Sequence, residues 1–282
     1  MDIRSVHATI PELDLIDKIE ALSNDYEERH GRAPINVSHW DPSQEIVRKL
    51  RAALPISVEQ NPIPYNFSYF LDSHPEVRFK LGIRADASSL FLENGSSAIL
   101  AVANVLALSG VSEVVVVRPC YFTVPYALAR VGLRTREVYA ARRENGYALP
   151  VGLELDSASV LWITHPIYNT GDYGLSHQCR DLLAHLEAGV VVVADEALAL
   201  CPSGLAAVLG GHPRFIGIYT PHKSICVNGL KFSTVVFHPD KEPPFDHWTD
   251  VLSGGLGLSA VTAINHFLST DLIHTVTRFL PK

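Results

Sequence analysis

The chain has 282 residues, 47% of them hydrophobic and 19% charged, with a formal net charge of -7. That length allows one large domain, or a domain with a smaller appendage, around a sizeable core, and the composition excludes a disordered tail. The charge is spread along the chain without a lysine and arginine stripe, which argues against a nucleic-acid surface; no apolar run reaches membrane-spanning length, and the acidic N-terminus is no signal-peptide core.

In chain order, PELDLIDKIEALSNDYEERHG (11–31) carries apolar residues at helical spacing and closes on Gly31, which predicts a helix with a glycine at its C-terminus. After a loop around NVSHWDPS, QEIVRKLRAAL reads as a second helix. SVEQNPIPYNFSYFLDSHP, broken by prolines and aromatics, reads as an extended or looped excursion. From residue 88 the rhythm is regular. SLFLENG is a strand running into the helix SSAILAVANVLAL; EVVVVRP is a strand and YFTVPYALARVG a helix; RTREVYAA and SASVLWITHP are strands. SHQCRDLLAHLEAG is then a helix, VVVVADEA a strand, GLAAVLGGH a short helix, and FIGIYTPH and GLKFSTVVFHP the last strands. Runs as apolar as Val114 to Val117 and Val190 to Val193 are expected where helices cover both faces of a sheet. The expectation is an α/β fold with a mostly parallel sheet in three α/β/α layers. Cys120, Cys179, Cys201 and Cys226 show no CxxC spacing, so a reduced, cytoplasmic protein without a metal site is expected.

Ligands of such sheets bind beyond the carboxyl ends of the strands. The polar residues that follow the apolar runs are Asn94, Gly95, Ser96 and Ser97, then Pro119 and Tyr121, then His165, Tyr168 and Asn169, then Asp195, then His222 and Lys223, and finally Lys231. Each has an ordinary structural explanation when taken singly. Gly95-Ser96-Ser97 suits a turn and helix cap as well as a phosphate, Tyr121 suits a core aromatic, and Lys223 a solvated loop. Asp195 is harder to explain so, because a carboxylate at the end of four valines is costly without a cationic partner.

Taken together and in order, these residues resemble the pyridoxal-phosphate-dependent aminotransferases of fold type I, class I/II, from about INVSHWDPS to about GGLGLSAVTAINHF. The resemblance implies that Lys223 in TPHKSICVNGLKFS forms the Schiff base with pyridoxal 5'-phosphate. It makes Lys231, eight positions on, the cation for the phosphate. Gly95, Ser96 and Ser97 match the family's phosphate-binding helix start, and Tyr121 in RPCYFTVPY the aromatic ring stacked on the pyridine. Asp195 in VVVVADEA matches the carboxylate paired with the pyridine nitrogen. Either Tyr168 or Asn169 in HPIYNTG would reach the phenolic oxygen, since the loop departs from NPxNPTG by one place. Tyr69 corresponds to a tyrosine that reaches the neighbouring subunit's phosphate. His222 joins this cofactor-binding set as the residue before the lysine. Lys223, Asp195 and Tyr121 are the expected catalytic residues.

Two departures stand out. The tyrosine usual three residues after the aspartate is Leu198 here, and Lys231 replaces an arginine, offering a point charge in place of a planar fork. The expected organisation is an N-terminal segment over 1–45, a cofactor-binding large domain over 46–265, and the start of a linking helix over 266–282, with the family's small C-terminal domain absent. That domain carries the arginine that grips the substrate's α-carboxylate. A fragment, a natural short form using other residues, and a relative that keeps the cofactor without ordinary turnover all stay open. The functional expectation is an aminotransferase acting on an amino acid or related amine, with a lyase, decarboxylase, oxidase or non-catalytic cofactor-binding relative as alternatives. The resemblance also implies a homodimer, and the apolar residues Leu272, Ile273, Val276 and Phe279 suit association. No nucleic-acid or membrane partner is expected.

Overall fold

The computed structural model describes residues 11–34, 78–79, 81–143, 146–150, 152–166, 175–197, 204–224, 231–241, 244–245 and 256. The chain divides into compact units over 1–41 and 42–282. In the first unit, α1 spans Pro11–His30. Proline at its first position lacks the N–H that a helix start leaves unbonded anyway. The helix ends where Gly31 turns to φ 62° and donates its N–H to Glu27 O at 2.8 Å.

The second unit follows the alternation read from the sequence. Its elements are β1 (Ser88–Leu92), α2 (Gly95–Leu108), β2 (Glu113–Arg118), α3 (Thr123–Arg130), β3 (Arg134–Tyr139), β4 (Ala141–Arg143), β5 (Gly146–Ala148), β6 (Val160–Thr164), α4 (Leu175–Glu187), β7 (Val191–Glu196), α5 (Leu205–Leu209), β8 (Phe215–Tyr219), α6 (Pro221–Ser224) and β9 (Ser233–Phe237). Seven strands form one sheet in the order β1-β9-β8-β7-β6-β2-β3. All its neighbours pair in parallel except at β9, which runs antiparallel to both β1 and β8. The sheet is therefore mostly parallel and helix-flanked, as expected.

The valine runs are buried on both faces because two separate cores meet them. Val114, Val116, Trp162 and Val193 pack with α2 and α3 on one side. Val115, Val117, Leu161, Val192 and Ala194 pack with Leu182 and Leu186 of α4 and Leu205 and Leu209 of α5 on the other. Two local features differ from the sequence reading. A short antiparallel pair, β4 with β5, lies where no apolar alternation announced it. The strand expected to run through Thr220, Pro221 and His222 stops at Tyr219 and turns into α6, because Pro221 has no N–H to continue a ladder. The helix QEIVRKLRAAL, the excursion before residue 78 and the apolar residues 272–279 lie outside the described residues. Among the described residues no helix is long and apolar enough to cross a membrane.

Candidate active site

The reversal of β9 decides which residues share an edge. The parallel strands β1, β2, β6, β7 and β8 end at Leu92, Arg118, Thr164, Glu196 and Tyr219, so their following residues emerge on one side of the sheet. The antiparallel β9 presents its beginning there instead. Tyr219 pairs with Thr234, which sets Lys231, three residues before Thr234, beside the turn that carries Lys223.

Asp195 is 1% exposed and sits in register with Thr164 of β6. It shares the parity of Val191 and Val193, so its carboxylate opens on the α2 face, whereas Glu196 opens on the face of α4 and α5. Asp195 Oδ1 accepts the Ala197 N–H at 3.1 Å, and Oδ2 is buried with no hydrogen-bond partner among the described residues. Burial pushes this carboxyl above the ordinary carboxylate value, while the Ala197 N–H and the Lys223 charge pull it back. Glu196, also 1% exposed, accepts the N–H groups of Leu205 and Ala206 and so caps α5. Burial raises its pKa to about 8.

Lys223 lies on α6, a single turn closed by its own N–H donating to Thr220 O at 3.1 Å. Its Nζ is 5.5 Å from the centre of the Tyr121 ring. Burial pulls the lysine below its ordinary pKa; Asp195 opposes that shift, and Lys231 adds to it. A partly desolvated amine beside a second cation is one whose free base is accessible for nucleophilic attack and proton transfer. Lys231 itself is exposed.

The start of α2 completes the cluster. Asn94 is the N-cap, with extended backbone and a side-chain oxygen that accepts the Ser97 N–H at 3.0 Å. The N–H groups of Gly95 and Ser96 belong to the same first turn, where helices hold anions. A Cβ on Gly95 would stand 3.0 Å from Thr220 Oγ1. That hydroxyl is itself buried without a hydrogen-bond partner among the described residues. Ser233 at the start of β9 donates its hydroxyl to Asn94 O at 2.7 Å, tying the Lys231 segment to this helix start.

No family model matches the chain, and no curated protein matches it. Among solved structures, YbdL from Escherichia coli, identified as having a methionine aminotransferase function, superposes with a TM-score of 0.66 at 15% identity, covering 93% of this chain and 72% of its own. N-Succinyldiaminopimelate aminotransferase from Mycobacterium tuberculosis gives 0.65 at 19% identity, covering 92% and 72%. A PLP-bound C-S lyase from Staphylococcus hominis gives 0.60 at 13% identity, covering 85% and 65%. The chain has the fold of the fold type I aminotransferases.

Within that aminotransferase fold, the residues present fit pyridoxal phosphate. Among the described residues a buried carboxylate oxygen, Asp195 Oδ2, has no hydrogen-bond partner and could meet a protonated ring nitrogen. A lysine whose charge burial disfavours lies over an aromatic ring, and a Cβ-free helix start faces a hydroxyl without a hydrogen-bond partner among the described residues. Of the residues expected from the sequence, Gly95, Ser96, Ser97, Tyr121, Asp195, His222, Lys223 and Lys231 all stand at this edge of the sheet. Tyr69, Tyr168, Asn169 and Leu198 lie outside the described residues. Thr220 and Ser233 were not singled out by the sequence reading. The position of Thr220, three residues before Lys223 in a Ser/Thr-type stretch, was the available signal. Nothing local marked Ser233, whose partner is 139 residues away.

Proposed function

We propose that the chain binds pyridoxal phosphate at this edge and uses it on an amino acid or related amine, most simply by amino-group transfer. The observation that carries the reading is the pairing of a buried carboxylate, Asp195, whose Oδ2 has no hydrogen-bond partner among the described residues, with a nearby lysine whose charge burial disfavours. Bound there, the cofactor supplies an aldehyde that condenses with amines and a protonated ring that accepts electrons from the substrate's α-carbon. Lys223 would be the amine that holds the aldehyde, and its free Nζ would carry protons to and from substrate carbon. Asp195 keeps the ring nitrogen protonated. Tyr121 provides an apolar face against the ring, and the N–H groups of Gly95 and Ser96, the Thr220 hydroxyl and the Lys231 ammonium bind the phosphate.

Borohydride reduction in the presence of pyridoxal phosphate, followed by peptide mapping, tests this reading. The label is expected on Lys223 and is lost in Lys223→Ala. A label that persists on another lysine of that variant overturns the assignment. A lyase reading is kept because one similar structure is a C-S lyase. Nitrogen appearing on an added 2-oxo acid supports transfer, whereas ammonia and a released thiol support elimination.

A further inference from the structure

We infer that His222 is a positioning residue that ties the backbone beside Lys231 to the turn carrying Lys223, standing in for a rung that the sheet cannot form. The inference rests on the cofactor reading above for its consequence but not for its geometry. The last registered pair of β8 and β9 is Tyr219 with Thr234, and continuing that register would set Phe232 opposite Pro221. Pro221 has no N–H to give, and the buried backbone of Phe232, a residue 0% exposed, needs partners. The imidazole of His222, 4% exposed, supplies one of them at a time: Nδ1 lies 2.7 Å from Phe232 O and 3.2 Å from Phe232 N. One tautomer donates Nδ1–H to the carbonyl, and the other accepts the Phe232 N–H. Lys223 follows His222 directly, and Lys231 precedes Phe232 directly. The ring therefore joins the two cationic segments on either side of residues 225–230.

Three physical consequences follow for the site. The phosphate cation becomes anchored to the same element as the amine, so both are placed before cofactor arrives. Burial lowers the ring's affinity for a proton, the Phe232 carbonyl opposes that, and the charges of Lys223 and Lys231 lower it further. A side chain without a polar atom at the Nδ1 position loosens the Lys231 segment while leaving the Tyr219 pairing in place.

The experiment titrates pyridoxal phosphate into the parent, His222→Leu and His222→Asn, each with and without Lys231→Ala. Asparagine can place an amide atom near the Nδ1 position; leucine cannot. His222→Leu is expected to weaken binding roughly tenfold, whereas His222→Asn stays within about threefold of the parent. In the Lys231→Ala background the leucine effect shrinks below about threefold, because the two sites act as one unit. Parent-like binding by the leucine variant overturns the inference, as does an undiminished loss in the Lys231→Ala background. If the leucine variant does not fold, the asparagine variant decides, and binding more than about tenfold weaker overturns the inference. If the parent takes up no cofactor, the cofactor reading fails, and melting of the cofactor-free proteins tests the tie alone. A drop of about 2 °C or more in leucine but not asparagine supports it, and equal melting overturns it.

Discussion

Replacing Asp195 with asparagine should push stability and cofactor affinity in opposite directions. The Asp195 carboxylate is 1% exposed, accepts one hydrogen bond, from the Ala197 N–H, and leaves Oδ2 unpartnered among the described residues. Asparagine keeps the shape and can keep that bond through its own oxygen, while removing the charge that burial disfavours. An unsatisfied buried polar group costs about 1–3 kcal/mol, and more when charged; the Lys223 charge offsets part of this. The variant leaves an unpartnered amide nitrogen in place of Oδ2, so only the extra cost of the charge is relieved, and it is expected to be more stable than the parent by about 1 kcal/mol, or roughly 2–4 °C in melting temperature for a unit of this size. The folded pKa of Asp195 lies above its unfolded value, so its contribution to parent stability is fully present at low pH and declines as pH rises towards the folded pKa. The advantage of Asp195→Asn should therefore grow with pH. With pyridoxal phosphate the sign reverses, because a charge-assisted hydrogen bond worth about 1.5–3 kcal/mol is lost, and binding weakens roughly 10- to 100-fold. Thermal denaturation at pH 5 and pH 8 and spectrophotometric titration of the cofactor measure the two halves. A cofactor-free variant that melts below the parent at pH 8, or binds cofactor as tightly, would refute the argument that this carboxylate is held for a ring nitrogen.

Glu196, with a folded pKa of about 8 against 4.5 for the free group, keeps a proton that the unfolded chain gives up, so its contribution to stability falls as pH rises through that window. Glu196→Gln should flatten the pH dependence of unfolding between about pH 5 and 8, and a variant as pH-dependent as the parent would exclude Glu196 as its source. Gly204→Ala would drive a Cβ into Glu196 Oε1 and to 2.8 Å from the Tyr219 hydroxyl; a loss of about 1–3 kcal/mol in chemical denaturation is expected. Sedimentation should find a homodimer as the smallest cofactor-loaded species, and a loaded monomer would defeat that expectation.

Much of this molecule was legible in local pattern. Alternating apolar runs and amphipathic stretches determined an α/β sheet covered on both faces, because a strand buried on each side can carry no polar alternation. The eight-residue step from Lys223 to Lys231 and the acid at the end of Val190 to Val193 were legible as candidate site positions, and the resemblance to the aminotransferases gave them their proposed roles. Tertiary structure decided the rest. Asp195 and Glu196 are adjacent acids, and alternation says only that they face opposite ways; which one shares the face of α2 depends on which helices cover which side of the sheet. The placement of Lys231 depends on β9 running against its neighbours, and the tie from Ser233 to Asn94 spans 139 residues. Strand order and direction come from pairings distant in sequence, whose energies lie in hydrogen bonds and packing that no local window of residues contains.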